Sequence, residues 1–410
     1  MKTALIVGGR GQSGRAIAAR LVEEGWGVTA TSSGPVPDAA AVPGVRWRSY
    51  DRDHSPGQDQ TGGLGSLVGA GADVVVDVTA FQLRHAQQLL ALGDRIGSAV
   101  VLSTLSVYTD PEGRTMDGGP DEDTFPAWPV PIPEDWPTVT PSDRNYSARK
   151  AAIEQALGDG APWPVTILRP GAIYGRHSRH LREWYFIKRV LDGRRQVVLP
   201  FGGESVLQPT AAVNLAELVA LAAEHPGRRV LNCGDLDPPT AAEISSIVDE
   251  LMGWRTERVL VGGPPPEANV GDHPWVVPRP VVAAMSRARA ELGYQERRRY
   301  RQALADTLPW AVEAAAGRDW KEVFPTLAGY PLDLFDYAAE DPTSGAPKTL
   351  QQSETRSGRL RAPATAGGCG PVGSLSPPTP TGRERHRAPG RTAPTWEDRR
   401  RPRRRPSGRP

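Results

Sequence analysis

Cysteine is nearly missing from this 410-residue chain, which contains only Cys233 and Cys369. Two cysteines cannot build the disulfide framework typical of small secreted domains, so we expect a reducing compartment. Long apolar runs are missing as well. The best candidate, residues 72–81, carries Asp73 and Asp77 and is far shorter than the roughly 18 apolar residues of a membrane span. The apolar run after the first methionine ends at glycines, unlike a secretory signal. The sequence therefore predicts a cytoplasmic protein with no membrane partner.

A large net charge is also absent, because the formal value is only +2. The distribution is uneven: residues 341–410 hold fifteen Lys or Arg against five Asp or Glu, a net +10, which leaves −8 for the preceding residues. This tail is rich in proline and arginine and poor in aliphatic residues, so it is predicted to be disordered. A nucleic-acid tether and a solvated extension both suit it. An arginine run alone is a weak signal, so we favour the extension and do not expect a nucleic-acid partner.

A glycine-rich turn occupies the start of the chain. Ala4–Val7 is a short apolar run that predicts a buried strand. Gly8, Gly11 and Gly14 follow at three-residue spacing, and a helical pattern of apolar residues begins at about Ser13. Glycines let the backbone approach a pyrophosphate, while the helix N-terminus offers free N–H groups and a positive dipole end. A surface loop that merely contains three glycines is the alternative, and the flanking strand and helix disfavour it.

The G-x-x-G-x-x-G spacing of this turn resembles the short-chain dehydrogenase/reductase superfamily, in particular its extended branch of epimerases, dehydratases and reductases. Further strands alternate with helices along the chain, as in Gly71–Val78 followed by a helix over His85–Leu92. This alternation predicts an α/β fold with a doubly wound parallel sheet and ligands at the carboxyl ends of the strands. The resemblance implies a Rossmann-type sheet with a small C-terminal substrate-binding subdomain.

The catalytic chemistry is predicted from Tyr146 and Lys150. Residues four positions apart share one face of a helix, so the phenol and the ammonium should point together. A neighbouring ammonium favours the phenolate and eases proton exchange at neutral pH. The segment Ser103–Tyr108 resembles the extended-branch pattern in which Ser or Thr stands four residues before a Val-Tyr pair. That resemblance implies that Thr104 binds the reacting oxygen, with Ser103 and Ser106 near enough in sequence to take its place.

Cofactor binding follows from the same resemblance. The strand at Gly27–Thr31 ends without the acidic residue that binds the ribose of NAD, whereas Arg10 stands where NADP-binding members often have a basic residue. Ser32 offers a hydroxyl donor to the same phosphate. Arginine binds phosphate through two charge-assisted hydrogen bonds, so NADP is favoured over NAD, although Arg10 as a solvated loop residue is an open alternative. The implied cofactor-binding residues are Gly8, Arg10, Gly11, Gln12, Ser13, Gly14, Ser32, Asp51, Thr79, Lys150 and Ile173.

Three regions are predicted along the chain. Residues 1–175 form the NAD(P)-binding core with the Tyr/Lys helix, residues 176–340 mainly form the substrate subdomain, and residues 341–410 form the disordered basic tail. Within the core, the proline-rich insertion 110–143 departs from the family pattern. It is expected to be a lid over the active site, with a tolerated loop as the alternative.

The substrate is predicted less sharply than the cofactor. Arg176 and Arg182 suit an anionic or sugar-nucleotide substrate, although a solvated helix face is equally consistent with them. His177 and His180 lack metal-ligand spacing, so no metal is predicted. The resemblance implies an NAD(P)-dependent reductase or epimerase acting on a hydroxyl or carbonyl carbon, as a possible homodimer. A non-catalytic NAD(P)-binding sensor or RNA-binding relative is the alternative, and the Tyr146–Lys150 pair argues against it.

Overall fold

The computed structural model describes residues 1–35, 42–53, 63–118 and 121–341. Its strands are β1 (Thr3–Val7), β2 (Gly27–Ser32), β3 (Val45–Ser49), β4 (Ala72–Asp77), β5 (Ile96–Leu102), β6 (Val165–Pro170), β7 (Ala172–Tyr174), β8 (Gln196–Leu199), β9 (Pro209–Ala211), β10 (Arg229–Cys233) and β11 (Glu257–Leu260). Its helices are α1 (Gln12–Glu23), α2 (Leu64–Val68), α3 (Leu83–Leu90), α4 (Tyr146–Gly160), α5 (Trp184–Leu191), α6 (Ala212–Glu224), α7 (Ala241–Met252), α8 (Ser286–Leu292), α9 (Tyr300–Ala315), α10 (Trp320–Val323) and α11 (Tyr337–Glu340).

The central sheet contains seven parallel strands in the order β10-β6-β5-β4-β1-β2-β3. The strand order reverses at β1, which pairs with β2 on one side and β4 on the other. Ligands of doubly wound sheets bind at the carboxyl ends of the strands beside such a reversal. The predicted doubly wound parallel sheet is therefore confirmed, and the switch point lies between Val7 and Asp77.

Both faces of the sheet are covered by helices. Successive strand residues point to opposite faces, and β1 shows the consequence. Ala4 and Ile6 share an apolar cluster with residues of α1, α6 and α8, whereas Leu5 and Val7 share another with residues of α2, α3 and α4. Because both faces are buried, the strands are nearly continuous apolar runs, as parallel sheets require.

Element boundaries differ from the sequence expectation by a few residues. The predicted helix His85–Leu92 is shifted to Leu83–Leu90, because His85, Ala86 and Leu89 form its buried face and Gln82 is its extended N-cap. Helix α7 begins at Ala241, with Thr240 as the N-cap of a complete capping box. The fold itself is unaffected by these shifts.

A third apolar cluster lies beyond the central sheet and is built largely from α5, α7, α9 and the residues around Leu334. The same part of the chain contains two small parallel sheets, which pair β7 with β9 and β8 with β11. Most of this cluster lies within residues 176–340, whose assignment as a substrate subdomain stays a prediction. No helix in the described part of the chain is long and apolar enough to cross a membrane.

The insertion 110–143 is packed against the body over its described residues. Ile132 donates its N–H to the Val282 carbonyl at 2.7 Å and accepts from the Ala284 N–H at 2.8 Å. Val139 donates to the Val107 carbonyl at 2.8 Å. The associated apolar cluster contains Leu105, Tyr108, Phe125, Ile132, Val277, Val281 and Ala283. These contacts attach the insertion to the residues that follow Thr104 and to the segment 277–284, and its role as a lid stays a prediction.

The last described residues are fastened to α5 through Arg189, whose side chain is buried. Its guanidinium donates to the Leu334 carbonyl at 2.9 Å and forms an ion pair with Glu340. The guanidinium carbon also lies 3.7 Å from the ring centroid of Tyr185. Apart from Asp341, the tail predicted to be disordered lies outside the described residues.

Candidate active site

Gly8, Gly11 and Gly14 after β1 differ in how closely other atoms approach them. Gly8 has φ +88, and a Cβ there would lie 2.3 Å from Cγ2 of Thr79, so glycine is required for this turn. A Cβ on Gly14 would lie 2.4 Å from the Gly8 carbonyl oxygen, which requires glycine for the close approach of α1 to the turn. Gly11 is exposed, and nothing lies within 4 Å of a Cβ built on it. The open side of the turn therefore faces away from the protein at Gly11.

The first residues of α1 lie beside that open side. Gly11 is the N-cap and makes no side-chain cap hydrogen bond, and Gln12 and Ser13 form the first turn. Gln12 Nε2 contacts the Ile173 carbonyl at 3.4 Å, while Gln12 Oε1 is buried without a hydrogen-bond partner. A free helix N-terminus suits a phosphate-bearing ligand. The unpaired amide oxygen of Gln12 can accept a hydrogen bond only from a donor group of such a ligand.

Arg10 and Ser32, the predicted contacts of a ribose phosphate, differ in how accessible their side chains are to a ligand. Arg10 is exposed and its guanidinium lies over Gly34, since a Cβ on Gly34 would be 2.6 Å from Arg10 Nη1. Ser32 is buried, and its hydroxyl donates to the carbonyl oxygens of Gly34 at 3.1 Å and Pro35 at 3.3 Å. The structure thus leaves the Arg10 guanidinium accessible at the end of β2, whereas the Ser32 hydroxyl is already engaged in the turn.

Asp51 and Thr79 flank a buried ion pair that the sequence analysis missed. Asp51 accepts from the Asp53 N–H at 3.0 Å. Arg52 is turned inward and its Nη1 lies 2.9 and 2.7 Å from the two carboxylate oxygens of Asp77. The same carboxylate accepts from the Thr79 N–H at 2.9 Å, which fixes the turn after β4. The burial of Arg52 could not be predicted from hydrophobic periodicity, because this residue lies outside any helix or strand.

Lys150 lies at the carboxyl ends of β4 and β5. Its side chain is buried, and Nζ donates to the Ala80 carbonyl at 2.7 Å and to the Leu102 carbonyl at 2.8 Å. The ammonium is 5.9 Å from the ring centroid of half-buried Tyr146 and 4.8 Å from that of Phe81. The structure therefore brings the predicted Tyr/Lys pair together beside the strand ends, one helical turn apart on α4.

Thr104 follows Leu102 by two residues and caps the 3-10 turn Leu105–Val107. Its hydroxyl oxygen accepts from the Ser106 N–H at 3.2 Å and lies 3.2 Å from the Ser106 hydroxyl. Ser103 is directed elsewhere, because its hydroxyl donates to the buried Glu154 carboxylate. Of the neighbouring hydroxyl groups, Ser103 is therefore committed to a structural bond, while Thr104 and Ser106 form a pair.

A buried polar network supports this turn, and no motif in the sequence indicates it. Arg169 donates to the Glu154 carboxylate at 2.6 and 3.1 Å and to the Glu134 carbonyl at 3.0 Å. Its guanidinium carbon lies 4.8 Å from the ring centroid of Tyr108, whose hydroxyl donates to Asn232 Oδ1 at 2.7 Å. Burial raises the pKa of Glu134, and it raises that of Tyr108 to about 12. The network joins α4, three strand ends and the insertion.

The predicted substrate arginines lie after β7. Arg176 is exposed, while Arg182 is half-buried and its Nε has no hydrogen-bond partner. His177, in a left-handed backbone conformation with φ 66, packs its ring 5.4 Å from that of Trp310. Burial, with the charges of Arg15 and Arg176, lowers the pKa of His177 to about 4. The site is thus electropositive on this side.

Two buried carboxyl groups lie behind the substrate region. Glu183 accepts from the Tyr300 hydroxyl at 3.0 Å, and burial raises the pKa of Glu183 to about 7. Asp235 accepts from the Tyr174 hydroxyl at 2.9 Å and from Asn214 Nδ2 at 2.8 Å, and burial raises its pKa to about 6. These acids are distant in sequence from any motif, so only the folded chain brings them into one cluster.

Comparisons with known proteins bear on the fold. No protein-family model matches the sequence, and no curated protein matches it. Among solved structures, MoeE5 in complex with UDP-glucuronic acid and NAD has a TM-score of 0.55 at 20% identity, over 76% of this chain and 99% of that one. UDP-glucose 4-epimerase from Thermotoga maritima, with UDP-glucose, has a TM-score of 0.56 at 17% identity, over 76% and 99%.

A third structure, dTDP-glucose 4,6-dehydratase from Bacillus anthracis in complex with NAD, has a TM-score of 0.56 at 18% identity, over 79% of this chain and all of that one (100%). The chain has the fold of the extended short-chain dehydrogenases/reductases. The resemblance stated from the glycine spacing is thereby confirmed at the level of the fold. The individual site residues stay predictions. Thr104, Tyr146 and Lys150 all lie near the carboxyl ends of β4 and β5.

Proposed function

We propose that the chain is an NAD(P)-dependent oxidoreductase, a reductase or an epimerase, that acts on a carbon bearing a hydroxyl or carbonyl group. The observation that carries this proposal is the position of Lys150, which is held by the Ala80 and Leu102 carbonyls with the Tyr146 ring beside it. The placement of Lys150 at the carboxyl ends of β4 and β5 supports a role toward a ligand.

The residues of the glycine turn fit a dinucleotide. Gly11 is open on the ligand side, Gly8 and Gly14 are closely packed on the other, and the buried Gln12 amide oxygen has no partner. The first turn of α1 would hold the pyrophosphate, Lys150 the nicotinamide ribose and the backbone at Ile173 the carboxamide. When bound, the nicotinamide supplies hydride donation or acceptance. Asp51 and Thr79 would border its adenosine end.

The chain's own residues would handle the proton. Tyr146 is the proposed acid or base toward the substrate oxygen, because the neighbouring ammonium of Lys150 favours the phenolate. Thr104 would hold the same oxygen by a hydrogen bond, with Ser106 orienting the threonine hydroxyl at 3.2 Å. Leu105 and Ser106 directly after Thr104 leave no acidic pair of the sugar-dehydratase kind there, which supports reduction or epimerisation over dehydration.

The dinucleotide preference is also part of the proposal. The accessible Arg10 guanidinium over Gly34 favours a 2′-phosphate and hence NADP. Two of the solved structures named above, MoeE5 and the dTDP-glucose 4,6-dehydratase, are complexes with NAD, which supports a preference for NAD instead. Arg10 decides between them: Arg10→Ala should weaken NADPH by about 1.5–3 kcal/mol and NADH much less if it binds the phosphate. Equal small losses for both would remove Arg10 from the site.

A small anionic substrate, or a sugar nucleotide, is supported by Arg176 and Arg182 and by the UDP-sugar complexes of the solved relatives. The low cysteine content supports a cytoplasmic location. A homodimer is retained from the family resemblance alone. A non-catalytic sensor or RNA-binding protein is the second candidate, and the basic tail favours it.

A thermal-shift screen of NADPH, NADH and a panel of sugar nucleotides tests the proposal, because a ligand bound by the native state raises the melting temperature. A dinucleotide should raise Tm, and a sugar nucleotide should raise it further. Lys150→Met is the control and should abolish most of the dinucleotide shift. A protein stabilised by neither NADPH nor NADH would contradict the proposed function. Binding without turnover of any carbonyl or hydroxyl substrate would favour the sensor.

A further inference from the structure

A continuous chain of hydrogen bonds connects Asp53 to Lys150 through one peptide unit. Lys150 Nζ donates to the Ala80 carbonyl at 2.7 Å. The N–H of the same peptide, that of Phe81, donates to His85 Nδ1 at 3.0 Å. His85 Nε2 lies 2.8 Å from Asp53 Oδ1. An ammonium and an imidazole therefore hold opposite ends of the peptide that joins Ala80 to Phe81.

The direction of each hydrogen bond follows from its partners. The Phe81 N–H is a donor, so His85 Nδ1 must accept and the ring proton must reside on Nε2, which donates to Asp53. Burial and the Arg52 guanidinium lower the pKa of His85, which keeps the ring neutral as this arrangement requires. Arg84 also binds Asp53 at 2.7 Å, and with His85 it lowers the pKa of the Asp53 carboxyl against the opposing effect of burial.

We propose that His85 and Asp53 are positioning residues for Lys150, acting through the peptide between Ala80 and Phe81. This inference rests on the proposed function, in which Lys150 holds the cofactor and assists Tyr146. His85 sets the orientation of the peptide, and the peptide sets where the ammonium stands.

Peptide rigidity gives this linkage its strength. The carbonyl and the N–H of one peptide lie in a single plane and point in opposite directions, so fixing one fixes the other. Hydrogen bonds in such a chain also polarise one another, which makes the Ala80 oxygen a better acceptor for the ammonium. Lysine is flexible, and the Ala80 carbonyl at 2.7 Å is one of the acceptors that fix the position of its ammonium. A rotated peptide would thus move the ammonium relative to Tyr146.

The linkage starts next to the adenosine end of the predicted cofactor site. Asp53 follows Asp51 by two residues and donates its N–H to the Asp51 carboxylate at 3.0 Å. Arg52, between them, donates to the His85 carbonyl at 3.2 Å as well as to Asp77. The same loop therefore borders the expected adenine contact and holds the histidine that orients the lysine.

Two substitutions at His85 separate the two ring nitrogens. In His85→Asn, the amide oxygen takes the place of Nδ1 and still accepts from Phe81, while the bond to Asp53 is lost. In His85→Gln, the amide nitrogen takes the place of Nε2 and still donates to Asp53, while the acceptor for Phe81 is lost. A residue that merely fills space would respond similarly to both, so the contrast isolates the linkage.

Dissociation constants for NADPH and NADH, measured by fluorescence titration, provide the first readout. His85→Asn should stay within about threefold of the parent, whereas His85→Gln should weaken the better cofactor by about 10- to 100-fold, because a displaced group loses its productive geometry. Equal losses in both variants, or none in either, would overturn the positioning role.

Ultraviolet difference titration of the ligand-free protein provides the second readout. Each variant is compared with its own Tyr146→Phe counterpart, so that only the Tyr146 phenol contributes. His85→Gln should move phenol ionisation to higher pH, since the ammonium that favours the phenolate is displaced. His85→Asn should leave it near that of the parent. Identical titrations for all three proteins would contradict the inference.

The two readouts keep this inference distinct from the proposed function. If the parent protein binds neither dinucleotide, the proposed function fails, and the phenol titration still tests the linkage. Should His85→Gln not fold, Asp53 provides the comparison, because its side chain is 46% exposed. Asp53→Asn keeps an oxygen for His85 Nε2. Asp53→Ala removes the acceptor that holds the ring proton on Nε2, so Nδ1 can take the proton and stop accepting from Phe81, which the amide oxygen of His85→Asn cannot do. Only the alanine variant at position 53 should therefore shift the titration. Equal titrations for these two would also overturn the inference.

Discussion

Tyr146 is the first residue of α4, and Asn145 caps that helix by accepting from the Ala148 N–H at 2.9 Å. The phenol therefore stands at the helix end nearest the strand edge, and Lys150 follows one turn later with its ammonium buried. The i, i+4 spacing was sufficient to predict this pair, because a helix places such residues on one face whatever surrounds it.

The residues that hold Lys150 were not predictable in the same way. Ala80, Leu102 and His85 lie 70, 48 and 65 positions before the lysine in the sequence, and their contacts depend on strand order. Two of them contribute backbone atoms, which carry no side-chain signature. Sequence spacing thus predicts which residues share one face of a helix but cannot identify partners that only the sheet brings together.

Substitutions at the three predicted catalytic residues should produce distinct losses. Tyr146→Phe should leave folding and dinucleotide binding nearly intact and lower turnover by roughly 10²–10⁴, the usual contribution of a positioned acid or base. Lys150→Met should lose both turnover and dinucleotide affinity. Thr104→Val should lower turnover with a smaller effect on affinity. Steady-state kinetics on an identified substrate, with binding measured separately, checks the pattern. Full activity in Tyr146→Phe would require another proton donor.

At the scale of elements, the β1–α1 unit shows why the fold could be predicted from its first residues. The apolar strand, the glycine turn and the helix are local in sequence, so their order was readable without tertiary information. The insertion 110–143 shows the opposite case. Its contacts run to Val282 and Ala284 and to the Arg169 network, so composition indicated only a proline-rich loop.

Gly14 and Gly11 provide a matched test of the turn. A Cβ at Gly14 would meet backbone atoms of Gly8 and Gly9 at 2.4 and 2.5 Å, which cannot move aside. Gly14→Ala should therefore destabilise the fold by about 3 kcal/mol or prevent folding. Gly11→Ala meets open space at φ −73 and should change stability by less than about 0.5 kcal/mol while weakening dinucleotide binding. Urea denaturation measures both, and equal stability losses would contradict the packing account.

Glu183, just before α5, should make stability depend on pH. Its pKa is raised by burial to about 7 from an ordinary 4.5, so the unfolded chain ionises first as the pH rises. Folding stability should therefore fall between about pH 4.5 and 7. Glu183→Gln retains the acceptor for Tyr300 and should be more stable than the parent at pH 8, by at most about 3 kcal/mol. At pH 4 the two should converge. Parallel stability profiles from pH 4 to 8 would contradict this account.

At the scale of the whole molecule, the residues just before the predicted tail form a buried contact with Arg189 of α5. Truncation after Asp341 keeps Leu334 and Glu340 against Arg189, so Tm and dinucleotide affinity should match those of the full chain. Truncation after Leu332 removes both partners from a buried guanidinium and should cost about 3–5 kcal/mol. Thermal and urea unfolding of the two truncations provide the comparison. A Tm loss of several degrees in the longer one would show that the tail docks on the body.

The helices that cover one face of the sheet have a consequence for biosynthesis. Ile6 and Val76 belong to strands near the start of the chain, but the apolar cluster that buries them includes Leu215 of α6 and Leu292 of α8. A nascent chain that has emerged only as far as Tyr174 holds every residue of the predicted dinucleotide site and still exposes this apolar face. We therefore expect ribosome-arrested chains of that length to be digested by added protease, and resistance to appear only after α8 has left the exit tunnel.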